Sequence, residues 1–142
     1  MIPNINILME EITETQRPDR TYKINVNTSA LVEEGISKDR ISGYVDDLES
    51  VQQAIYLILN TERYQYLIYS WDYGVELFDL IGKPIPYVMA EIPRRITEAL
   101  TMDDRIKDVV DFEFEAKGNI LHTTFTVITT FGNINTDLEV TI

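Results

Sequence analysis

The sequence contains no cysteine and only one histidine among its 142 residues. Without cysteine the chain has no disulfide, no thiolate metal ligand and no cysteine nucleophile. The single histidine, His122, lies among threonines without the serine and aspartate pattern of a catalytic triad, so we expect a surface or interface residue. The six glycines form neither a GxGxxG motif nor a P-loop,. The sequence therefore predicts no catalytic residue, no cofactor and no metal site.

Basic residues are also scarce, because 12 lysines and arginines oppose 24 aspartates and glutamates, for a formal net charge of -12. Proteins bind nucleic acids and anionic membranes through basic side chains, so neither is an expected partner. No segment approaches the roughly 20 apolar residues that span a bilayer, and the N-terminus lacks the basic charge of a signal peptide. We expect a protein made in the cytosol, whose acidic surface provides solubility or attracts a basic partner.

Strand patterns dominate the last third of the chain. From Ile106 apolar and acidic residues alternate, residues 117–119 read as a tight turn, and a second run alternates apolar residues with threonines up to residues 132–133,. The third run places four apolar residues on one face: Ile134, Leu138, Val140 and Ile142. These patterns predict a C-terminal three-stranded meander. Its last strand is either pinned in the sheet or an open edge that can pair with another chain.

Helix patterns occupy the middle of the chain. Apolar residues at helical spacing predict helices at about residues 46–60, 75–81 and 86–101,. Asp46 and Glu49 have the spacing of a capping box at the start of the first helix. Pro93 falls inside the third helix, where its missing N–H costs about 3 kcal/mol, so we expect a kink or a break near Glu91.

The order of strands, helices and strands predicts an α+β fold rather than an alternating βαβ fold. We expect a mostly antiparallel sheet, including the C-terminal three-stranded meander, packed with two to three helices from the middle of the chain. Residues 1–45 are predicted to form an N-terminal arm and a β-hairpin extension, and residues 46–142 the main domain. With 44% hydrophobic residues, the chain supports one core and one structural unit,.

A hydrolase is the catalytic alternative, because a glycosidase needs only two carboxylates, one of them with a raised pKa. The candidates in the helical middle are Glu62, Glu76, Glu91 and Glu98. The sequence shows no cleft between them and few other distinguishing polar residues. Assembly without catalysis is therefore the first hypothesis, and a lysozyme-like peptidoglycan hydrolase is the alternative.

Two blocks of sequence carry a family resemblance. The first joins Leu59 to Arg63 with an aromatic-glycine stretch from Trp71 to Gly82, and the second runs from Ile92 to Ile106. Together they resemble the signature of the contractile phage-tail baseplate wedge and sheath-initiator family, with the greatest similarity to its XkdS-like prophage branch. The wider family usually carries Glu-Pro-Arg where this chain has Asp103-Asp104-Arg105, which leaves Arg105 as the matching position.

The resemblance implies a structural baseplate component of a contractile phage tail or tail-like particle, present in several copies around the tail tube. Such a protein contacts wedge and hub proteins and initiates assembly of the tail sheath protein by strand pairing. It is made in the bacterial host cytoplasm and resides at the baseplate of the virion or particle. Some relatives have carried a lysozyme label, so a tail-associated hydrolase stays the alternative. The partner-binding candidates are Trp71, Tyr73, Gly74, Arg94, Arg105, Leu138, Val140 and Ile142.

Overall fold

The computed structural model describes residues 19–24 and 41–142, which form a hairpin, two helices and a three-stranded sheet. The elements are β1 (Thr21–Ile24), β2 (Ile41–Val45), α1 (Asp47–Leu59), a 3₁₀ turn (Phe78–Leu80), α2 (Ile85–Leu100), β3 (Ile106–Lys117), β4 (Ile120–Thr129) and β5 (Gly132–Thr141). All strand pairs are antiparallel. The α+β class is confirmed, while the predicted N-terminal arm lies outside the described residues.

The C-terminal sheet has the strand order β3-β4-β5, as the predicted meander requires. Glycine at position 118 has a φ of 63°, which allows the tight turn between β3 and β4,. The odd-numbered residues of β4 face the helices and are buried: Leu121, Thr123, Phe125, Val127 and Thr129. β5 turns Ile134 and Val140 toward the same core. The predicted alternation of these two strands is confirmed.

β3 is the irregular strand of this sheet. Its register with β4 shifts between Ile106 and Asp108 and again between Val110 and Glu113. At the second shift Asp111 has a φ of 57°, and two residues of β3 lie opposite one residue of β4. A bulge of this kind resets which side chains face the core. The expected alternation is confirmed from Val110 to Glu115, where apolar residues are half-buried and acidic residues exposed, but it does not extend back to Ile106 or forward to Ala116.

α1 begins with Asp46 as its N-cap residue, but the predicted capping box does not form. The Asp46 carboxylate makes no cap hydrogen bond and instead pairs with Arg20, with 3.2 Å between Oδ1 and Nε. Glu49 pairs with Lys23 of β1, with 3.3 Å between the charged atoms. Ion pairs with residues in and beside β1 thus replace the local cap. The spacing of the two acids could not predict these pairs.

α2 continues through Pro93, so the break expected near Glu91 was wrong, while a kink there stays a prediction. The apolar residues on both sides of the proline, Ile92 and Ile96, are fully buried. Burying each side chain contributes about 1.5–3 kcal/mol, which offsets the roughly 3 kcal/mol cost of an internal proline. Packing against the sheet therefore decides the course of this helix.

The helix predicted at residues 75–81 is reduced to a 3₁₀ turn. The backbone N–H groups of Leu77 and Phe78 donate to the Glu62 carboxylate, at 3.0 to 3.1 Å. The Val75 backbone pairs with the backbones of Thr61 and Arg63 instead of starting a helix, and the Glu62 carboxylate caps the free N–H groups at the start of the short turn. The sequence spacing alone could not reveal this competition.

One core joins both helices to one face of the sheet. Both helices and the sheet contribute fully buried side chains to it: Val51, Ile55, Val88, Ile92, Ile96, Leu121 and Val127. The opposite face of the sheet carries threonines and acids, and its β5 residues are exposed. Among the described residues, neither helix is long and apolar enough to cross a membrane. Within residues 19–24 and 41–142, no element covers the polar face of the sheet or pairs with its two outer strands.

Candidate docking surface

The loop between α1 and α2 is closed at its base by backbone pairing. The Arg63 N–H donates to the Val75 carbonyl at 3.1 Å, and the Val75 N–H donates to the Thr61 carbonyl at 3.0 Å. Gly74 has a φ of 98°, and an added Cβ would lie 2.5 Å from the Thr61 carbonyl oxygen. Only glycine fits this closure without displacing the Thr61 carbonyl,. Residues 64–73 are projected outward as a lobe.

Two arginines fasten the loop to α2. Arg95 is mostly buried, forks onto the Asp79 carboxylate, and donates to the Glu76 carbonyl at 2.9 Å. The hydrogen bond from Arg95 holds the pKa of Asp79 below its ordinary value. Arg63 is also mostly buried and binds Glu98 with 2.9 Å between Nη1 and Oε1. These pairs fix the loop relative to the helix and the core.

Arg105 fastens the turn between α2 and β3 to α1. Its guanidinium binds both Asp103 carboxylate oxygens, at 2.9 and 2.7 Å, and donates to Ser50 Oγ at 3.2 Å. The hydrogen bond to Asp103 raises the pKa of Arg105. Only 13% of the Arg105 side chain and 7% of the Asp103 side chain are exposed. Arg105 therefore has a structural role in this chain.

The lobe at residues 64–73 exposes large apolar side chains. Those with substantial exposure are Tyr64, Tyr66, Leu67, Ile68, Tyr69 and Trp71. Leu67 is fully exposed, and Trp71 is 80% exposed. Tyr73 closes the lobe by stacking on Tyr69, with 4.7 Å between ring centroids, and its burial raises its pKa. A contiguous exposed apolar patch of this kind is typical of an interaction surface.

β5 has one edge paired with β4, and no described residue pairs with its outer edge. Its register with β4 continues over ten residue pairs without a shift. The Ile142 N–H donates to the Asn119 carbonyl at 2.8 Å. Because hydrogen-bonding direction alternates along an antiparallel strand, the odd-numbered residues of β5 direct their backbone N–H and C=O groups outward. The edge of β3 is bulged twice, which disfavours pairing,, so β5 is the edge suited to accept a strand.

The predicted partner-binding residues differ in how exposed they are. Val140 is buried, and Leu138 and Ile142 are half-buried against the chain's own core. Their side chains are therefore occupied, and β5 can offer a partner its backbone edge. Trp71 is exposed in the lobe, and Arg94 is exposed on α2.

Three other predicted residues come together. Tyr73, Gly74 and Arg105 line one cleft of about 360 Å³ between the loop and both helices. Sequence reasoning missed the anchoring roles of Arg63 and Arg95. The carboxylates that these arginines bind between the loop and α2 lie 16 and 35 residues away in the sequence, so no local pattern indicates them.

The four glutamates considered for a hydrolase all have structural contacts. Glu62 accepts three backbone hydrogen-bond contacts, and Glu98 binds Arg63. Glu76 Oε1 lies 3.9 Å from Nη1 of Arg63. Glu91 binds Arg94 and then Arg95, and these two hydrogen bonds hold its pKa below its ordinary value. A general acid needs the opposite shift.

Comparison with known proteins identifies the family of this chain. Residues 20–132 match the family described as the contractile injection system sheath initiator. The chain is 39% identical over 127 residues to the Phage-like element PBSX protein XkdS of Bacillus subtilis (strain 168), covering 87% of this chain and 82% of that protein. The fold of this chain is similar to that of a Geobacter sulfurreducens protein proposed to be a tail lysozyme, with a TM-score of 0.55 and 19% identity. The likeness covers 66% of this chain and 89% of that protein. At that identity the likeness concerns the fold alone. The chain belongs to the contractile injection system sheath initiator family.

Proposed function

We propose that this chain is a structural baseplate component of a contractile phage tail or tail-like particle, and that it starts sheath assembly by accepting a strand on the outer edge of β5. The regular, unpaired edge of β5 carries the proposal. Membership of the sheath initiator family supports it. Because Ile134 and Val140 are fixed in the core, β5 is already ordered, and only the incoming strand loses conformational entropy on pairing.

The proposed partners are the tail sheath protein at β5 and the wedge and hub proteins at other surfaces. The exposed lobe at residues 64–73 is the most apolar candidate for the second group. Several copies surround the tail tube, assembled in the host cytoplasm and then resident in the baseplate. Residues 46–142 form the main unit of this component and residues 1–45 an extension. Neither nucleic acid nor a membrane takes part.

The proposed role includes no catalysis. It is supported by the contacts of the candidate glutamates, since Glu62 binds backbone donors and Glu91 has a lowered pKa. The test is to incubate the purified chain with peptidoglycan and to compare it with Glu62→Gln, Glu76→Gln and Glu91→Gln variants. We expect no release of soluble fragments by any of them. Turnover by the wild-type chain that one of these variants abolishes would establish the hydrolase instead.

A proline on the outer edge tests the strand-pairing role. Glu139 is an odd-numbered residue of β5, so Glu139→Pro removes an outward N–H and keeps the hydrogen bonds to β4. Glu139→Ala is the matched control, because it loses the same carboxylate and retains the N–H. Deleting residues 134–142 is a weaker test, because it removes buried Ile134 and Val140 and thereby unfolds the core.

Each variant replaces the wild-type gene in the bacterium that makes the particle, and electron microscopy counts sheathed and unsheathed tails. Both variants lose the Glu139 carboxylate, so the comparison between them isolates the outward N–H: we expect Glu139→Ala to give many more sheathed tails than Glu139→Pro, which should give baseplates without sheaths. Circular dichroism and thermal unfolding of the purified variants check that both fold. If Glu139→Pro is unfolded, Asp137→Pro with Asp137→Ala repeats the comparison. Normal numbers of sheathed tails with a folded proline variant would refute strand pairing at β5.

A further inference from the structure

An apolar groove lies directly beside the outer edge of β5. It has a volume of about 280 Å³ and borders residues 139–141 of that strand. The apolar part of its lining comes from the end of α1, the lobe, and the 3₁₀ turn with its two flanking residues: Leu59, Tyr66, Leu77, Phe78 and Ile81. Asn60, Glu62 and Gln65 also line the groove. Phe78 is 60% exposed, and Ile81 is 54% exposed. The apolar surface is therefore available on the helix side of the edge.

The other side of the same edge is acidic. Asp137 and Glu139 of β5 are exposed on the sheet face that the helices leave uncovered. Asp111 and Glu113 of β3 border a shallow depression on this face, together with Asp137. Glu115 extends the row along β3 and pairs with the lysine two residues later, at 3.1 Å. Carboxylates therefore predominate on this face.

The geometry of an added strand connects the two surfaces. A strand that pairs with β5 lies about 4.8 Å from it, and its successive side chains point to opposite faces of the sheet. Every second side chain would lie beside Asp137 and Glu139, and the side chains between them would point toward the groove at Phe78. Cross-strand neighbours on one face interact directly, and opposite charges there are favourable.

We propose that the outer edge of β5 is specific for an extended segment in which basic residues alternate with large apolar residues. This inference rests on the proposed strand-pairing function and names the chemistry of its partner. Lysine or arginine side chains face Asp137 and Glu139, while valine, leucine or isoleucine side chains enter the groove at Phe78 and Ile81.

The same charges exclude a second copy of this chain as the occupant. Two β5 edges brought together would place Asp137 and Glu139 of one copy on the same face as the acids of the other. Like charges opposite one another destabilise a strand pair, and each chain already carries a formal net charge of -12. The acidic row thus protects the regular edge from self-association and leaves it open to a basic strand of another protein.

Labelled synthetic peptides test the inference on the full chain. One peptide alternates lysine with valine, the second alternates glutamate with valine, and the third has the first composition with its lysines and valines in separate blocks. Fluorescence anisotropy at low and high salt gives their affinities. We expect the alternating lysine peptide to bind most tightly and to weaken as salt is raised. Equal binding of the alternating lysine and glutamate peptides would overturn the inference, as would equal binding of the blocked peptide.

Variants of the chain locate the binding. The double variant Asp137→Asn with Glu139→Gln is expected to weaken the alternating lysine peptide by about 2- to 30-fold, and Phe78→Ser by about 10-fold. Glu49→Gln on α1 is the control for losing a carboxylate elsewhere, and it should leave the affinity unchanged. Unchanged affinity in the double variant or in Phe78→Ser would overturn the inference.

The outcomes separate the inference from the proposed function. Loss of sheaths in Glu139→Pro without any preference among the peptides would refute the basic and apolar specificity and leave strand pairing intact. Normal sheaths in Glu139→Pro, together with loss of lysine-peptide binding in the same variant, would refute the role in sheath initiation and support the specificity of the edge.

Discussion

Gly74→Ala offers a direct test of the loop closure that presents the aromatic lobe. An alanine at φ 98° is strained by about 1–2 kcal/mol, because L side chains disfavour this backbone conformation,. Its Cβ would also lie 2.5 Å from the Thr61 carbonyl oxygen, which must move. That carbonyl accepts the hydrogen bond from the Val75 N–H, and losing the bond costs about 0.5–1.5 kcal/mol. We expect Gly74→Ala to lower the free energy of unfolding by about 2–4 kcal/mol.

Gly82→Ala is the matched control. Gly82 has a similar φ of 79°, but an added Cβ there meets nothing within 4 Å. This variant should therefore lose only the conformational part, about 1–2 kcal/mol. Urea unfolding followed by far-ultraviolet circular dichroism measures both changes under the same conditions. If the two variants differ by less than about 0.5 kcal/mol, the contact between residue 74 and Thr61 does not hold the loop closed.

Three further predictions follow from buried or paired side chains. Arg105→Met removes the guanidinium that binds both Asp103 carboxylate oxygens and should lower the free energy of unfolding by about 1.5–3 kcal/mol in urea titrations,. A loss below about 1 kcal/mol would contradict this structural role. Because Arg95 lowers the pKa of Asp79, their pair stabilises the fold above the ordinary aspartate value of 3.8 and is lost as pH falls through the lowered value,. Asp79→Asn should cost at most about 1 kcal/mol at neutral pH, since the aspartate is 61% exposed,, and the cost should vanish in strong acid; a cost independent of pH would refute the linkage. Thr123 is fully buried, and its hydroxyl finds no hydrogen-bond partner among the described residues. Thr123→Val should therefore raise the midpoint of thermal unfolding and increase the free energy of unfolding by about 1 kcal/mol. A lower midpoint would contradict the assignment of a buried unsatisfied hydroxyl.

The helices and strands that could be predicted are those in which apolar residues recur at a regular short spacing. The alternation through β4 and β5 predicted their inward side chains because each strand is exposed on one face and buried on the other. The spacing of Val88, Ile92 and Ile96 predicted α2 for the same reason, with the period of a helix,. Where several residues in a row indicate the same structure, tertiary contacts rarely override them.

The predictions that failed depend on a contact with a distant part of the chain. Asp46 has the right spacing for a cap, but Arg20 competes for its carboxylate. The helix predicted from Val75 does not begin there because the Val75 backbone pairs with Thr61 and Arg63, more than ten residues earlier. Pro93 does not break α2 because burial on both sides outweighs its cost. Each outcome is a competition between a local preference and a partner that only the folded chain brings near.

The candidate docking surface shows the same division. A C-terminal strand with an unpaired edge was one of two alternatives that the alternation allowed. The sequence could not show that the lobe is exposed, or that Leu138 and Val140 are occupied by their own core. Exposure depends on which surfaces the remaining elements cover, which is not a local property.

The sequence by itself determined the class of this protein: its acidic charge, the absence of cysteine, the α+β order of its elements, the C-terminal meander and the family resemblance. Composition and short-range periodicity are properties of the chain that persist in any fold it adopts. Only the tertiary structure decided that β3 is bulged while β5 is regular, and that an apolar groove borders one side of the β5 edge and carboxylates the other. Those features join residues from α1, the loop and the sheet, and they exist only after long-range packing has brought these segments together.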